Sequence, residues 1–262
     1  MTYSRDGIAF SYVDEGSGDP LVLQHGLGGD AAAVRPLWSG AGRLLTLECR
    51  GHGGTALGQP DELGFATSAR DVASLLDTLG LDEVVFAGVS MGAGIGLRLA
   101  FEQPERIRGL VLVRPAWFTA RSPNNLEAFP RIAELLRTEG PERGRATFVA
   151  SDVYRRLDAE SPVTAESVLA QFDRDDAVER AAVLERLPAD RPLRDDGPWR
   201  QLSMPTLILA TDRDPVHPLA IAEGWAEALP AATLEQVTSK TVDEARHERE
   251  VAAAIDVFRA AV

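Results

Sequence analysis

A single cysteine, Cys49, stands among 262 residues. It excludes an intramolecular disulfide framework, and no cluster of cysteine and histidine has the spacing of zinc ligands. A buried structural thiol is its expected role. Positive charge is also short: 27 lysines and arginines against 40 aspartates and glutamates leave a net charge of −13. That balance argues against nucleic acid and anionic membrane surfaces as partners, because the electrostatic term would be repulsive. Lys240 is the only lysine. No apolar run approaches the roughly 18 residues of a membrane helix. The opening stretch MTYSRDGIAFSYVDEGSG has no basic segment followed by an apolar core, so no signal peptide is expected. These absences predict a cytoplasmic protein that acts on a small molecule, with no nucleic-acid or membrane partner and with a homo-oligomer left open.

What is present is ordinary for a globular chain, at 45% hydrophobic and 26% charged residues. The length suits one large α/β domain with an insertion, or two small domains. The short apolar runs IAFSYV (8–13), PLVLQ (20–24), LLTLE (44–48), EVVFAGV (83–89) and IRGLVLVR (107–114) read as strands. Among them, SARDVASLLDTLG (68–80) places apolar residues at 72, 75, 76 and 79, the stripe of an amphipathic helix that closes on glycine. Strands alternating with helices predict a parallel sheet with helices on both faces, whose ligands bind beyond the carboxyl ends of the strands. After Pro115 the character changes. Residues 116–197 hold helix-like segments such as NLEAFPRIAELLRTEG and TAESVLAQF, and no strand-like run. The β/α rhythm returns with TLILAT (206–211), LAIAEGWAEALP, ATLEQV (232–237) and a last helix running to Phe258. The expected division is a core of 1–115 and 198–262 around a helical insertion, 116–197, without internal repeats.

The chemistry-bearing stretch is GVSMGAG, residues 88–94, where a buried strand gives way to a helix around a lone serine. Gly88-Val89-Ser90-Met91-Gly92 fits the G-x-S-x-G pattern of a serine on a tight strand-to-helix turn. A serine hydroxyl is a poor nucleophile until a base takes its proton, and a histidine base needs a third group to orient it. Four histidines are available: His25 in QHGLGGD, His52 in RGHGGT, His217 in DRDPVHP and His247 in EARHERE.

HGLGGD after an early strand, RGHGGT after the next, GVSMG at the elbow and DRDPVHP after the penultimate strand together resemble the α/β-hydrolase fold family over nearly the whole chain. The resemblance implies a mostly parallel eight-stranded sheet with helices on both faces and a helical cap inserted after strand 6. It implies Ser90 as nucleophile, Asp214 as the acid after strand 7, with Asp212 as its rival, and His247 as the base after strand 8. His247 departs from the family's usual Gly-His loop, since it sits between arginine and glutamate in a helix-like context. The oxyanion hole falls to the backbone amides of Leu27 and Met91. His217, three residues from Asp214, would need a tight local return to act as base and is expected at the rim or under the loop. His25 and His52 are expected to hold their own turns by hydrogen bonding.

In the cap, Trp117, Phe118, Phe129, Phe148, Tyr154 and Phe172 are candidates for an apolar pocket roof, with the cap's own core as the alternative for each. Arg114, at a strand's carboxyl end, is expected either to meet a substrate carboxylate or to pair with a cap carboxylate. Within the family, the resemblance is to capped bacterial hydrolases of the enol-lactonase and esterase type. It implies hydrolysis of a small carboxylic ester or lactone through an acyl-enzyme, with no metal and no organic cofactor. The same triad could serve C–C bond hydrolysis, lyase, thioesterase or acyl-transfer chemistry, and a ligand receptor on this scaffold is the non-enzymatic reading. Ser90 disfavours a haloalkane dehalogenase, whose nucleophile is a carboxylate.

Overall fold

A computed structural model of the protein describes residues 1–194 and 197–262. Eight strands form its sheet: β1 (Thr2–Arg5), β2 (Ile8–Gly16), β3 (Pro20–Gln24), β4 (Arg43–Leu47), β5 (Val84–Val89), β6 (Ile107–Val113), β7 (Thr206–Ala210) and β8 (Ala232–Gln236). Their spatial order is β1-β2-β4-β3-β5-β6-β7-β8. β2 runs antiparallel to both β1 and β4, and every other pairing is parallel.

The apolar runs dictate the layering. In β5 all six residues are buried, and alternation sends them to opposite faces. Val84 and Phe86 join the larger core, under the helices α2 (Phe65–Thr78) and α3 (Met91–Glu102). Val85, Ala87 and Val89 join a second core with Val34, Val251 and Ile255, which lie on α1 (Ala31–Val34) and the last helix. Cys49 is buried in the larger core.

Between β6 and β7 lie α4 (Ala128–Thr138), α5 (Gly140–Val149), α6 (Asp152–Glu160), α7 (Pro162–Leu169) and α8 (Ala177–Ala189). This is the segment expected as a helical insertion, of which residues 195 and 196 lie outside the described residues. Arginines tie it to the loops at the carboxyl ends of the strands. Arg174 Nη1 donates to the Gly28 carbonyl at 2.7 Å, and Arg180 donates to the carbonyls of Gly51 at 2.6 Å and Gly53 at 2.8 Å. The chain closes with α9 (Leu219–Ala228) before β8 and α10 (Glu244–Ala261) after it.

Two elements depart from the sequence reading. β1 was not expected, because only Tyr3 of its four residues is buried and a single apolar side chain carries no alternation. α2 begins at Phe65, three residues earlier than its apolar stripe suggests. Gly64 before it has no capping side chain, and the Phe65 N–H donates instead to Asp190 Oδ2 at 3.0 Å, from 125 residues away in the chain. That cap exists only in the folded protein.

Candidate active site

Ser90 sits between β5 and α3 with φ 54° and ψ −107°, a strained conformation for a non-glycine residue. Its amide donates to the Val113 carbonyl at 2.9 Å, which pins the turn to the neighbouring strand. The small neighbours are required by space. A Cβ on Gly92 would lie 2.3 Å from the Gln24 carbonyl oxygen, and one on Gly88 would lie 2.2 Å from the Gly92 carbonyl. Ser90 lines a cavity of about 390 Å³ together with the HGLGGD loop and residues of the inserted helices.

Leu27 lines this cavity, and Met91 follows Ser90 directly in the chain. Met91 opens α3, where helix N–H groups lack internal acceptors, and neither amide has a partner in the loops and turns of the described residues. His52 supports the Leu27 side: its Nε2 accepts from the Gly28 amide at 3.0 Å while Nδ1 donates to the Arg50 carbonyl at 3.0 Å. His25 Nε2 accepts from the Cys49 amide at 3.1 Å and Nδ1 donates to the Gly26 carbonyl at 2.8 Å. Both rings are deeply buried, and burial pushes each below the ordinary imidazole range, so both remain neutral braces. They hold loops, as the sequence predicts.

Asp214 is buried in the loop after β7, whereas Asp212 is exposed. The expected pairing of Asp214 with His247 is not formed. Asp214 Oδ2 accepts from His217 Nδ1 at 2.8 Å and from Arg114 Nη1 at 3.0 Å, and Oδ1 accepts from the amides of Val216 and His217 at 3.2 Å each. Burial alone would raise this carboxyl, but the His217 and Arg114 charges overcome it and hold Asp214 well below the usual carboxylate range. The tight local return that His217 needs to reach Asp214 is made by the turn itself. Arg213 takes φ 50°, Pro215 follows the aspartate, and the His217 amide bonds back to the Asp214 carbonyl at 3.1 Å.

His247 lies instead in the first turn of α10, fully buried. Its Nδ1 donates to the Thr238 carbonyl at 2.9 Å. Nε2 of His247 and Nε2 of His217 are each buried without a hydrogen-bond partner among the described residues, so neither ring is bonded to Ser90. Of the two, only His217 lines the cavity.

Arg114 also lines the cavity, but its salt bridge goes to Asp214, which belongs to the sheet's own loop and not to the inserted helices. Of the two alternatives drawn from the sequence, a cap carboxylate is not the partner found, and a substrate carboxylate is not contradicted by this pairing. Among the cap aromatics, Trp117 and Phe129 line the cavity, and the Trp117 indole N–H is buried with no acceptor among the described residues. Tyr154 does not line it and packs edge-on against Phe148, at 5.9 Å between ring centroids. Gln171 and Arg174, which the sequence reading passed over, also form part of the wall. No group of three or more metal-ligating side chains stands together among the described residues, and no described helix is long and apolar enough to cross a membrane.

A family model described as the alpha/beta hydrolase fold matches residues 19–248. A protein of Rhizobium rhizogenes, provisionally named carbamate hydrolase RutD, is 31% identical over 229 residues, covering 85% of each chain. Among solved structures, an esterase from Thermogutta terrifontis superposes with a TM-score of 0.76 at 25% identity, covering 98% of this chain and 95% of its own. An enol-lactonase from Burkholderia xenovorans shares the fold with a TM-score of 0.72 at 23% identity, covering 100% of this chain and 98% of its own.

Proposed function

The chain belongs to the alpha/beta hydrolase fold family, and on that premise we propose that it hydrolyses a small carboxylic ester, lactone or carbamate through a covalent acyl-enzyme on Ser90. The observation that carries this reading is the strained elbow at Ser90, on the wall of a cavity of about 390 Å³ at the carboxyl ends of the strands. Lactones and esters come from the likeness to the enol-lactonase and esterase, and carbamates from the provisional name of the Rhizobium relative. All three present an acyl carbon to the same attack.

Ser90 Oγ adds to that carbon while a histidine takes its proton. The negative charge that develops on the former carbonyl oxygen is met by the Leu27 and Met91 amides, in a site enclosed by protein, where such donors are worth more than in water. The same histidine then protonates the departing alcohol or amine, and water repeats the sequence to free the acid. The helices after β6 act as a cap, with Trp117 and Phe129 shaping the acyl side of the cavity. Only an activated serine attacks phosphorus quickly. A fluorophosphonate should therefore add once to the intact protein, with the adduct mapped to the peptide carrying GVSMG and absent from Ser90→Ala. Turnover of p-nitrophenyl acetate, a simple lactone and an aryl carbamate should likewise vanish in Ser90→Ala. A folded wild type that takes no label, or takes it at another serine, refutes the reading.

A further inference from the structure

We propose that His217, and not His247, is the general base that acts on Ser90, oriented by Asp214; this rests on the hydrolase reading above. The arrangement of hydrogen bonds makes the case. A base for a serine must have one ring nitrogen held by an orienting group and the other free to receive a proton. His217 meets both conditions: Nδ1 is bonded to the Asp214 carboxylate at 2.8 Å, and Nε2 has no partner among the described residues. In the neutral ring this places the hydrogen on Nδ1 and leaves the Nε2 lone pair unused. The side chain lines the same cavity as Ser90.

His247 meets one condition only. Its Nδ1 hydrogen goes to the Thr238 carbonyl, a neutral acceptor that stabilises an imidazolium less than a carboxylate does, and its side chain does not line the cavity. Nor can Asp214 readily be given to it. The carboxylate already takes four donors, from the His217 ring, Arg114 and two amides. The turn DPVHP holds His217 on the acid through the backbone, without help from another element.

The proton balance is complete within these groups. The Ser90 Oγ–H proton passes to His217 Nε2 as the Oγ–C bond forms. The imidazolium, paired with Asp214, gives that proton to the leaving oxygen or nitrogen as its bond to carbon breaks. Water then adds to the acyl carbon and loses a proton to Nε2, and Ser90 recovers it on departure. Asp214 is the positioning residue. The charged groups that bear on His217 are Asp214, which favours its protonated form, and Arg114 and Lys240, which oppose it.

The test compares Ser90 labelling rate by a fluorophosphonate and kcat/KM on p-nitrophenyl acetate in wild type, His217→Gly and His247→Gln, with folding checked by circular dichroism. His217→Gly should lose roughly 10³-fold or more in both readouts, mainly in kcat. Added imidazole should restore part of its activity, which no loss of packing would allow. His247→Gln should stay within about tenfold of wild type. If Ser90 is labelled in wild type and as fast in His217→Gly, the assignment falls while the hydrolase reading stands. A crippled His247→Gln beside an active or equally impaired, unrescued His217→Gly returns the base to His247. A wild type that takes no label at Ser90 overturns both. Should His217→Gly not fold, His217→Gln carries the same comparison, and retention of wild-type labelling by it overturns the assignment.

Discussion

Acidification should destabilise the protein through His247, whose ring is buried at 0% exposure with one hydrogen bond, to a carbonyl. Burial, reinforced by the Arg114 and Lys240 charges, lowers its pKa from 6.5 to about 4, and the Thr238 and Asp214 oxygens recover only part of this. In the unfolded chain the ring is free to protonate near 6.5. Between these values the unfolded state binds a proton that the folded state refuses, so folding stability is full above pH 6.5 and drains away as the pH falls towards 4. At about 1.4 kcal/mol per pH unit, the gap corresponds to about 3 kcal/mol, a large share of a typical domain's stability. Below about 4 both states carry the proton and the slope from this group ends.

The assay is urea unfolding of wild type and His247→Gln at steps from pH 8 to pH 4. Glutamine keeps a donor for the Thr238 carbonyl but does not titrate. Taking the difference between the two proteins cancels the other buried histidines, His25, His52 and His217, which are also pushed down by burial. The wild type should lose about 3 kcal/mol relative to the variant between pH 6.5 and 4. Parallel curves would refute the reasoning, because they would mean the ring reaches water in the folded state.

Two further outcomes follow from the cavity wall. Phe129→Ala and Trp117→Ala should shift relative kcat/KM among acyl chain lengths by about 10- to 200-fold, whereas Tyr154→Ala should lower the melting temperature and leave that ranking intact; a changed ranking in the tyrosine variant would refute its place in the helices' own packing. Because the Arg114 salt bridge is spent on Asp214, Arg114→Met should reduce kcat/KM on a neutral ester and on a matched carboxylate-bearing ester alike, by about 10- to 100-fold, the scale of one charge-assisted hydrogen bond. A loss confined to the charged ester would instead make Arg114 a reader of substrate charge.

Much of this molecule is determined locally, and the sequence by itself carries that part. Seven of the eight strands announce themselves: five because a strand buried on both faces must be apolar along its length, as in EVVFAGV, and β2 and β8 as short apolar runs between turns and helices. The elbow is legible because only glycine fits where Gly92 meets the Gln24 carbonyl, and the roles of His25 and His52 follow from their glycine-rich turns. The tertiary structure decided what depends on groups far apart in the chain. The start of α2 rests on Asp190, a cap that no window around Phe65 contains. Arg114 and Asp214 stand 100 residues apart and meet because β6 and β7 are neighbours in the sheet. Tyr154 faces Phe148 and not the cavity because of how the inserted helices pack. The choice between His217 and His247 is of the same kind. Both are within reach of the right strands by sequence order, and only the fold determines which ring receives the Asp214 carboxylate and which is sealed against a carbonyl. Side-chain partnership depends on distances between loops, and those are set by the packing of the whole sheet.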